Sequence, residues 1–338
     1  MNPNWRSFLE STEAVFAGDT SEISSFGDAA GELQAAGRQM VIVPLAHLAL
    51  IEASGEEAKP FLHSQFTSDV NHLADAQAQH AGWCSAKGRM QASFVLWHTA
   101  NNYHLLLAAD LLEATLKRLK MFVLRAKVTL AAEDEQVLLG LSGPQAAEAL
   151  ADAGLPAPED ALQTSAANGS TVLRLDAGRF IVATPAAAAA GLWQKLTVKA
   201  RPAGTPVWRW LDIQAAFPLV TLATKEEFVP QMADFEKIGG ISFHKGCYPG
   251  QEVVARTQYL GKVKRHLYRL SSGVPLQAGD DLFSPENLDQ ASGKVMSAAP
   301  TPDGGFAALA VVQSNFAANL HLGSREGPQL QAVAVNPA

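Results

Sequence analysis

A weak internal repeat is the feature that most restricts how this chain of 338 residues can fold. The segments IEASGEEAKPFL (51–62) and LGLSGPQAAEAL (139–150) carry Ser, Gly, Ala and Leu at matching offsets. In both, an apolar run typical of a strand precedes a Ser-Gly turn and a helical pattern. The matching pairs are Ser54 and Ser142, Gly55 and Gly143, Ala58 and Ala146, and Leu62 and Leu150. The repeat therefore predicts two related modules of strands and helices.

The pattern changes to short strands after residue 262. HLYRLSS, SGKVMSAAP and FAALAVVQ are typical of strands, and Asp303-Gly304-Gly305 between the last two is typical of a hairpin turn. We therefore predict an α+β fold in which two related α+β modules are followed by a small C-terminal β-barrel. The predicted domains are 1–50 with 128–245 (first module), 51–127 (second module), 246–261 (a loop and helix) and 262–338 (barrel).

Composition excludes several classes of protein. A formal charge of −7 argues against a protein that coats nucleic acid in general, although a local basic patch remains compatible with it. Cys84 and Cys247 alone cannot build a disulfide framework or a four-ligand zinc or iron–sulfur site, so we predict no metal site. The acidic N-terminal residues and the absence of a long apolar run predict a cytoplasmic protein without a membrane segment.

The segment HKGCYPGQEVVAR (244–256) is the densest in chemistry. Pro249-Gly250 predicts a turn, and the residues after it predict a short helix that ends near Gly261. Cys247 would then precede a helix N-terminus, with Lys245 close by, and both features favour a thiolate. The alternative is a small buried residue in a tight loop.

Two further segments leave alternatives open. Trp208 and Trp210 in WRWLDIQAAFP have the spacing of a strand, which would place one ring in the core and the other in a pocket, or both in the core. The cations Lys262, Lys264 and Arg265, together with Arg269, form a solvated face or a contact for anions or RNA. The sequence has no phosphate-binding glycine loop and no paired histidine motif for a metal.

The segment EFVPQM…GGISFHKGCYPGQEVVART closely resembles the signature of the YgfZ family, the folate-binding relatives of the glycine-cleavage aminomethyltransferase. The KGCYPGQE core (245–252) is highly specific for that family. GEEAKPFLHSQFTSDV, CSAKGRM, LLGLSGPQA, DIQAAFPLV and SGKV…PDGGFAALAVV extend the resemblance over roughly residues 45–320.

The resemblance implies three lobes around a central channel that holds a reduced folate such as tetrahydrofolate. It also implies an accessory role in iron–sulfur cluster assembly or repair, with an indirect influence on tRNA modification. The implied partners are iron–sulfur assembly proteins or their client enzymes. The basic residues of 262–269 add tRNA as an alternative partner. The residues carried over are Cys247 as the functional thiol and Trp208, Gln214, Lys245, Tyr248, Gln251 and Glu252 as folate-site residues.

Departures from the aminomethyltransferases concern their acidic residues. Gln91-Ala92 stands where those enzymes carry an aspartate pair, and Gln214 replaces their next acidic residue. A neutral amide cannot supply that acid–base or electrostatic function. Whether the chain is an enzyme is therefore left open. A folate-dependent aminomethyltransferase or demethylase is the second hypothesis, and an RNA-interacting protein is the third.

Overall fold

The computed structural model describes residues 1–100 and 102–335. The α-helices in these ranges are α1 (Pro3–Glu10), α2 (Ala29–Ala36), α3 (Ala58–Gln65), α4 (Leu112–Val123), α5 (Ala146–Asp152), α6 (Ala186–Leu196), α7 (Thr205–Gln214) and α8 (Gln251–Tyr259). Among the described residues, every helix is too short or too polar to cross a bilayer.

The first module contains a six-stranded sheet and a two-stranded ribbon. The ribbon pairs β1 (Val15–Phe16) with β2 (Ile23–Ser25). The sheet has, in spatial order, β10 (Thr164–Ala167), β11 (Ser170–Arg174), β12 (Arg179–Pro185), β9 (Gln136–Ser142), β3 (Val41–Pro44) and β13 (Arg201–Pro202). Neighbours are antiparallel except β3 and β13, which are parallel.

The second module contains a five-stranded antiparallel sheet. Its spatial order is β5 (Ala78–Cys84), β6 (Met90–Thr99), β7 (Asn102–Ala108), β4 (Leu48–Ser54) and β8 (Thr129–Ala132). The chain crosses from the first sheet to the second through residues 45–47 and returns through residues 133–135. These two crossings bring both sheets together at one place.

The predicted repeat is confirmed by equivalent positions in the two modules. Strand β4 leads into α3 as β9 leads into α5, and the repeat alanines and leucines are all buried. Gly55 and Gly143 both have positive φ values, +111° and +124°. A Cβ atom at Gly143 would lie 2.5 Å from the carbonyl oxygen of Gln39, and one at Gly55 would collide with the carbonyl of Lys127. Each turn therefore requires glycine.

The C-terminal strands close into a six-stranded barrel. Its spatial order is β14 (Arg265–Ser272), β17 (Phe306–Gln313), β16 (Gly293–Pro300), β15 (Asp281–Phe283), β18 (Leu320–Leu322) and β19 (Gln329–Ala334), with β19 pairing back to β14. The predicted hairpin at 303–305 joins β16 to β17. The predicted fold class is confirmed. The domain boundaries stay a prediction, and residues 336–338 of the predicted barrel lie outside the described residues.

The strand predicted around the two tryptophans is wrong, because these residues form α7. A proline in the first turn is tolerated in a helix, and its fixed φ suits helical geometry. Thr205, Trp208 and Asp212 are buried at helical spacing, while Trp210 is half-buried. Trp208 and Asp212 consequently lie on one face of α7.

Candidate functional site

The signature loop, defined as residues 244–250, is held against the end of α3 by Lys245. Lys245 Nζ donates hydrogen bonds to the backbone carbonyls of His63, Phe66 (2.5 Å) and Ser68 (3.1 Å). An ammonium group has three donor hydrogens, so the main chain accounts for all of them. Burial lowers the pKa of Lys245 to about 8, whereas the three carbonyl acceptors favour its charged form. The structure places Lys245 as an anchor of the loop.

Tyr248 forms the buried side of the signature loop. Its residue exposure is 6%, and Lys245 Nζ lies 5.0 Å from the centroid of its ring. An ammonium over an aromatic face is attracted by the ring quadrupole. Burial raises the pKa of Tyr248 far above its ordinary value, so the phenol stays neutral at physiological pH. The pair fixes the inner half of the loop.

Gly250 joins the signature loop to α8 through contact with the hairpin between β5 and β6. Its φ is +81°, and a Cβ there would lie 2.8 Å from the Cα of Gly88. Gly88 also has a positive φ, +70°, and packs against Val253. The predicted helix is confirmed, with Gln251 half-buried at its first position and Glu252 exposed at its second. Motif residues far apart in the sequence therefore meet backbone to backbone.

The two cysteines have opposite environments. Cys247 is exposed, whereas Cys84 is 1% exposed within β5, and both are free thiols. Burial raises the pKa of Cys84 to about 12. Only Cys247, of the two, is therefore an accessible thiol, and it lies on a loop that is fixed on both sides.

A cavity of about 890 Å³ lies where the two sheets, α7 and the barrel meet. We call it the central cavity. Its lining includes Leu45, His47, Leu50, Asp110, Glu133, Asp134, Glu135, Arg209, Asp212, Phe217, Leu276, Met296 and Ser297. Both chain crossings between the sheets contribute to it. None of the signature residues 245–252 is among its lining residues, so the cavity and the thiol form two separate candidate sites.

An ion-pair network supports the α7 wall of the central cavity. Arg179, buried on β12, donates from Nη1 to Asp212 at 2.6 Å and from Nε to Asp176 at 2.6 Å. The same guanidinium lies 5.7 Å from the centroid of the Trp208 ring. Burial raises the pKa of Asp212 to about 6, although the charge of Arg179 acts to lower it. Trp208 therefore supports the wall from the core and does not itself line the cavity.

The two glutamines at acidic positions of the relatives lie outside the cavity lining. Gln214 is exposed at the end of α7, where its backbone carbonyl accepts a hydrogen bond from Arg269 at 2.8 Å. Gln91 is 2% exposed in β6, and its Oε1 has no hydrogen-bond partner among the described residues. No carboxylate stands at either position.

Several polar atoms of the cavity wall lack a partner within the described part of the chain. Both ring nitrogens of His47 and the hydroxyl of Ser297 are buried and accept or donate no hydrogen bond. Burial lowers the pKa of His47 to about 3, so its ring is neutral at physiological pH. Leaving such groups unpaired is costly, but these atoms have almost no accessible surface, so a ligand in the cavity does not reach them. The lining itself combines apolar side chains such as Leu50 and Phe217 with several carboxylates, which suits a ligand that combines a large ring with hydrogen-bonding edges.

Three side chains near the cavity have the chemistry of metal ligands. Atoms of Glu52, His104 and Glu133 lie within 4.8 Å of one another. His104 Nδ1 already lies 2.6 Å from Glu133, and its Nε2 lies 2.7 Å from the hydroxyl of Thr99. Since both ring nitrogens have partners, hydrogen bonding alone accounts for this cluster.

Two of the four cations in the basic cluster ahead of the barrel form hydrogen bonds within the protein. Arg265 donates to the carbonyl of Ala291, and Arg269 donates to carbonyls at the end of α7. Lys262 and Lys264 are exposed. Two cations of the predicted four are therefore directed at solvent.

Comparison with known proteins defines the class first. Residues 13–169 match the family described as the GCVT N-terminal domain. The crystal structure of the glycine cleavage system aminomethyltransferase T from Bartonella henselae superposes with a TM-score of 0.78. That match covers 100% of this chain and 97% of the other at 21% identity. The chain therefore has the aminomethyltransferase fold.

A closer relative in sequence gives the family. The "tRNA-modifying protein YgfZ" of Serratia proteamaculans (strain 568) is 34% identical over 304 residues. The match covers 88% of this chain and 92% of the relative. The chain belongs to the YgfZ family, as its signature segment predicts.

Sequence reasoning missed the cavity residues Asp212 and His47 and the supporting Arg179. A helical assignment for 205–214 would have placed Asp212 on the same face as Trp208, four residues on. His47 carries no local motif, because its role depends on a chain crossing between two sheets. Arg179 follows a turn and is brought to α7 only by the fold.

Proposed function

We propose that this chain is a cytoplasmic accessory protein that binds a reduced folate, such as tetrahydrofolate, in the central cavity. The observation that carries the proposal is a cavity of about 890 Å³ at the junction of all three lobes of an aminomethyltransferase fold. Pockets of roughly 300–1,000 Å³ are typical of sites for cofactors and other small-molecule ligands, and a folate is such a ligand. The carboxylates among the lining residues give a bound heterocycle hydrogen-bonding partners.

The charge of the wall indicates which end of a folate it accommodates. Acidic lining residues outnumber the lining arginine, Arg209, which is itself paired with Glu22 at 2.7 Å. Carboxylates accept hydrogen bonds from N–H groups and repel other carboxylates. The ring of the folate, rich in N–H donors, therefore suits this wall better than its glutamate tail.

Aminomethyl transfer is disfavoured as the activity. The aspartate pair of the transferases is replaced by Gln91 and Ala92, and Gln91 is buried outside the cavity lining. A bound folate would supply a one-carbon carrier, but the residue that orients and polarises its nitrogen is missing. We therefore place the chain with the accessory proteins and not with the transferases.

We further propose that the accessory role concerns assembly or repair of iron–sulfur clusters, with an indirect effect on tRNA modification. An exposed Cys247 on a loop fixed by Lys245, Tyr248 and Gly250 supports this part. Such a thiol can contact a cluster or a persulfide sulfur on an assembly protein or client enzyme. No reaction of its own needs to be assigned to the chain.

Thermal unfolding with and without ligand tests the folate proposal. Tetrahydrofolate added under anaerobic conditions is expected to raise the Tm, because a ligand that binds only the native state stabilises it. The tail fragment p-aminobenzoylglutamate is expected to leave the Tm unchanged. An equal rise with both compounds would contradict recognition of the ring.

Complementation tests the thiol. In a strain that lacks this gene, the Cys247→Ser variant is expected to leave cluster-dependent enzyme activity low, whereas Cys84→Ser restores it. Cys84 is a matched control because it is the same residue type, buried in β5. Full restoration by Cys247→Ser would show that the thiol has no role.

RNA contact is a second candidate function. The relative from Serratia proteamaculans carries a name that refers to tRNA modification, and Lys262 and Lys264 are exposed. Direct contact predicts tRNA affinity that falls steeply with salt and falls again in Lys262→Ala. Affinity that does not change with salt would exclude this mode.

A further inference from the structure

Helix α7 presents a carboxylate to the central cavity. Asp212 lines the cavity, and its side chain keeps 10% of its surface exposed. One oxygen, Oδ1, accepts the hydrogen bond from Arg179 at 2.6 Å. Within the described residues no hydrogen bond reaches the other oxygen, Oδ2. An ionised carboxylate has acceptor capacity on both oxygens, so half of this group is unused by the protein.

The ion pair with Arg179 does not by itself explain Asp212. Arg179 already has a second carboxylate partner, Asp176, which accepts from its Nε at 2.6 Å. A buried guanidinium that has one carboxylate is compensated in charge, and a second buried carboxylate adds a desolvation cost. The charge of Arg179 is therefore already compensated by Asp176, and Asp212 is not needed for that purpose. What Arg179 and the Trp208 ring beneath it provide is a fixed position for the Asp212 carboxylate.

We propose that Asp212 is the residue that selects the ligand of the central cavity, by accepting hydrogen bonds from an amidine-type N–H edge. The 2-amino group and the neighbouring ring N–H of a reduced pterin form such an edge. This inference rests on the proposed function, since it assigns the recognition of the folate ring to one side chain. It assigns ligand contact on α7 to the carboxylate of Asp212, which lines the cavity, and not to the exposed amide of Gln214.

The surroundings of Asp212 agree with this role. Burial raises its pKa to about 6, and Arg179 acts in the opposite direction, so the carboxylate is ionised at neutral pH. Hydrogen bonds from a ligand to the charged form stabilise that form further. A ligand that offers an acceptor at the same place would meet a buried negative charge without a proton between them, which is unfavourable. The site therefore discriminates between donor and acceptor edges.

A paired change of ligand and protein tests the assignment. Tetrahydrofolate and its 2-desamino-2-methyl analogue are titrated into wild type, Asp212→Asn and Asp289→Asn. Asp289→Asn is the matched control, since it makes the same change at an exposed position outside the cavity lining. Wild type and Asp289→Asn are expected to bind tetrahydrofolate about 10- to 100-fold more tightly than the analogue, the range for a hydrogen bond to a charged group. Asp212→Asn is expected to lose that preference.

The outcomes separate this inference from the proposed function. If wild type binds both ligands equally, or if Asp212→Asn keeps the preference, the assignment of Asp212 is overturned while folate binding stands. The comparison of ligands on wild type needs no variant, so a poorly folded Asp212→Asn does not prevent a decision. Guanosine, which carries the same amino-pyrimidinone edge, is titrated in parallel. If guanosine binds to wild type but not to Asp212→Asn, and tetrahydrofolate does not bind at all, the assignment of Asp212 stands and the folate proposal is wrong. Absence of binding by all three ligands overturns both proposals.

Discussion

Among individual side chains, the two thiols provide the simplest test of how the signature loop is placed. Cys247 is exposed, and Cys84 is buried with a pKa raised to about 12. We predict that iodoacetamide at pH 8 adds one label to the native protein, at Cys247, because thiolate character and access control alkylation. Intact mass and peptide mapping measure the labels. Two labels are expected in denaturant, and rapid native labelling of Cys84 would contradict the structure.

Lys245 is predicted to act mainly on stability. The Lys245→Met variant removes the ammonium and leaves the carbonyls of Phe66 and Ser68, with that of His63, without their donor. We expect a loss of about 2 kcal/mol in the free energy of unfolding, since buried acceptors without partners are costly. Urea denaturation measures it. Lys262→Met, at an exposed position, is the control, and equal stability of the two variants would refute the anchoring role.

At the element scale, the junction of the signature loop with α8 depends on one of its two glycines. Gly250 has a φ of +81° and no room for a Cβ beside Gly88, whereas a Cβ at Gly246 would meet only His63 Nε2, at 3.8 Å. We predict that Gly250→Ala costs about 1–3 kcal/mol and increases hydrogen exchange over 245–259, through left-handed strain and steric collision. Gly246→Ala, in the same motif, is expected to have little effect. Similar exchange in both variants would contradict the packing described.

Local patterns predicted most of these elements, and α7 shows where they fail. The Ser-Gly turns of the repeat were predictable because the glycines, alanines and leucines occupy the same offsets in both modules. In α7, the spacing of Trp208 and Trp210 at i and i+2 favoured a strand. The helical spacing of the buried Trp208 and Asp212, at i and i+4, was not recognised. Alternation over three residues is too short to separate a strand from a helix. Tertiary packing against β12 and the barrel decides the outcome.

At the scale of the whole molecule, buried histidines predict a loss of stability in acid. Burial lowers the pKa of His47 to about 3 and that of His80 to about 4, from an ordinary value of 6.5. The unfolded chain therefore takes up these protons first, so stability that is present above pH 6.5 falls as the pH drops towards 4. Asp212 and Glu236, whose pKa values burial raises, act in the opposite direction, whereas the pKa of His63, which burial lowers, adds to the effect of the two buried rings.

Thermal unfolding between pH 7.5 and pH 5 measures this effect. The Tm is expected to fall steadily with pH, and His80→Phe is expected to reduce the slope, because the ring of His80 packs at 5.7 Å from that of Phe217. His244→Gln, at an exposed position without an ion pair among the described residues, should leave the slope as in wild type. A Tm that does not change across this range would show that neither buried ring is protonated on unfolding.

The candidate sites differ in how far the sequence could predict them. The signature loop is continuous in the sequence, so its motif alone indicated Cys247 as the candidate thiol and predicted the helix that follows. The central cavity is assembled from two chain crossings, one helix and the barrel, and it has no local motif. Asp212, the carboxylate that we propose contacts the ligand, is positioned by Arg179 from another strand. Resemblance implied a channel and a ligand class, and only the fold shows which residues line the cavity.

Folate binding in the central cavity is tested most directly by an anaerobic isothermal titration of tetrahydrofolate into wild type, Ala49→Trp and Ala131→Trp. Ala49 lines the central cavity, whereas Ala131 is exposed on the neighbouring strand β8 and lies outside the lining. We predict one saturable site in wild type and in Ala131→Trp, and its loss in Ala49→Trp, because the new indole fills the space of the ligand. No saturable binding to wild type at millimolar ligand, or unchanged binding to Ala49→Trp, would contradict a folate site in this cavity.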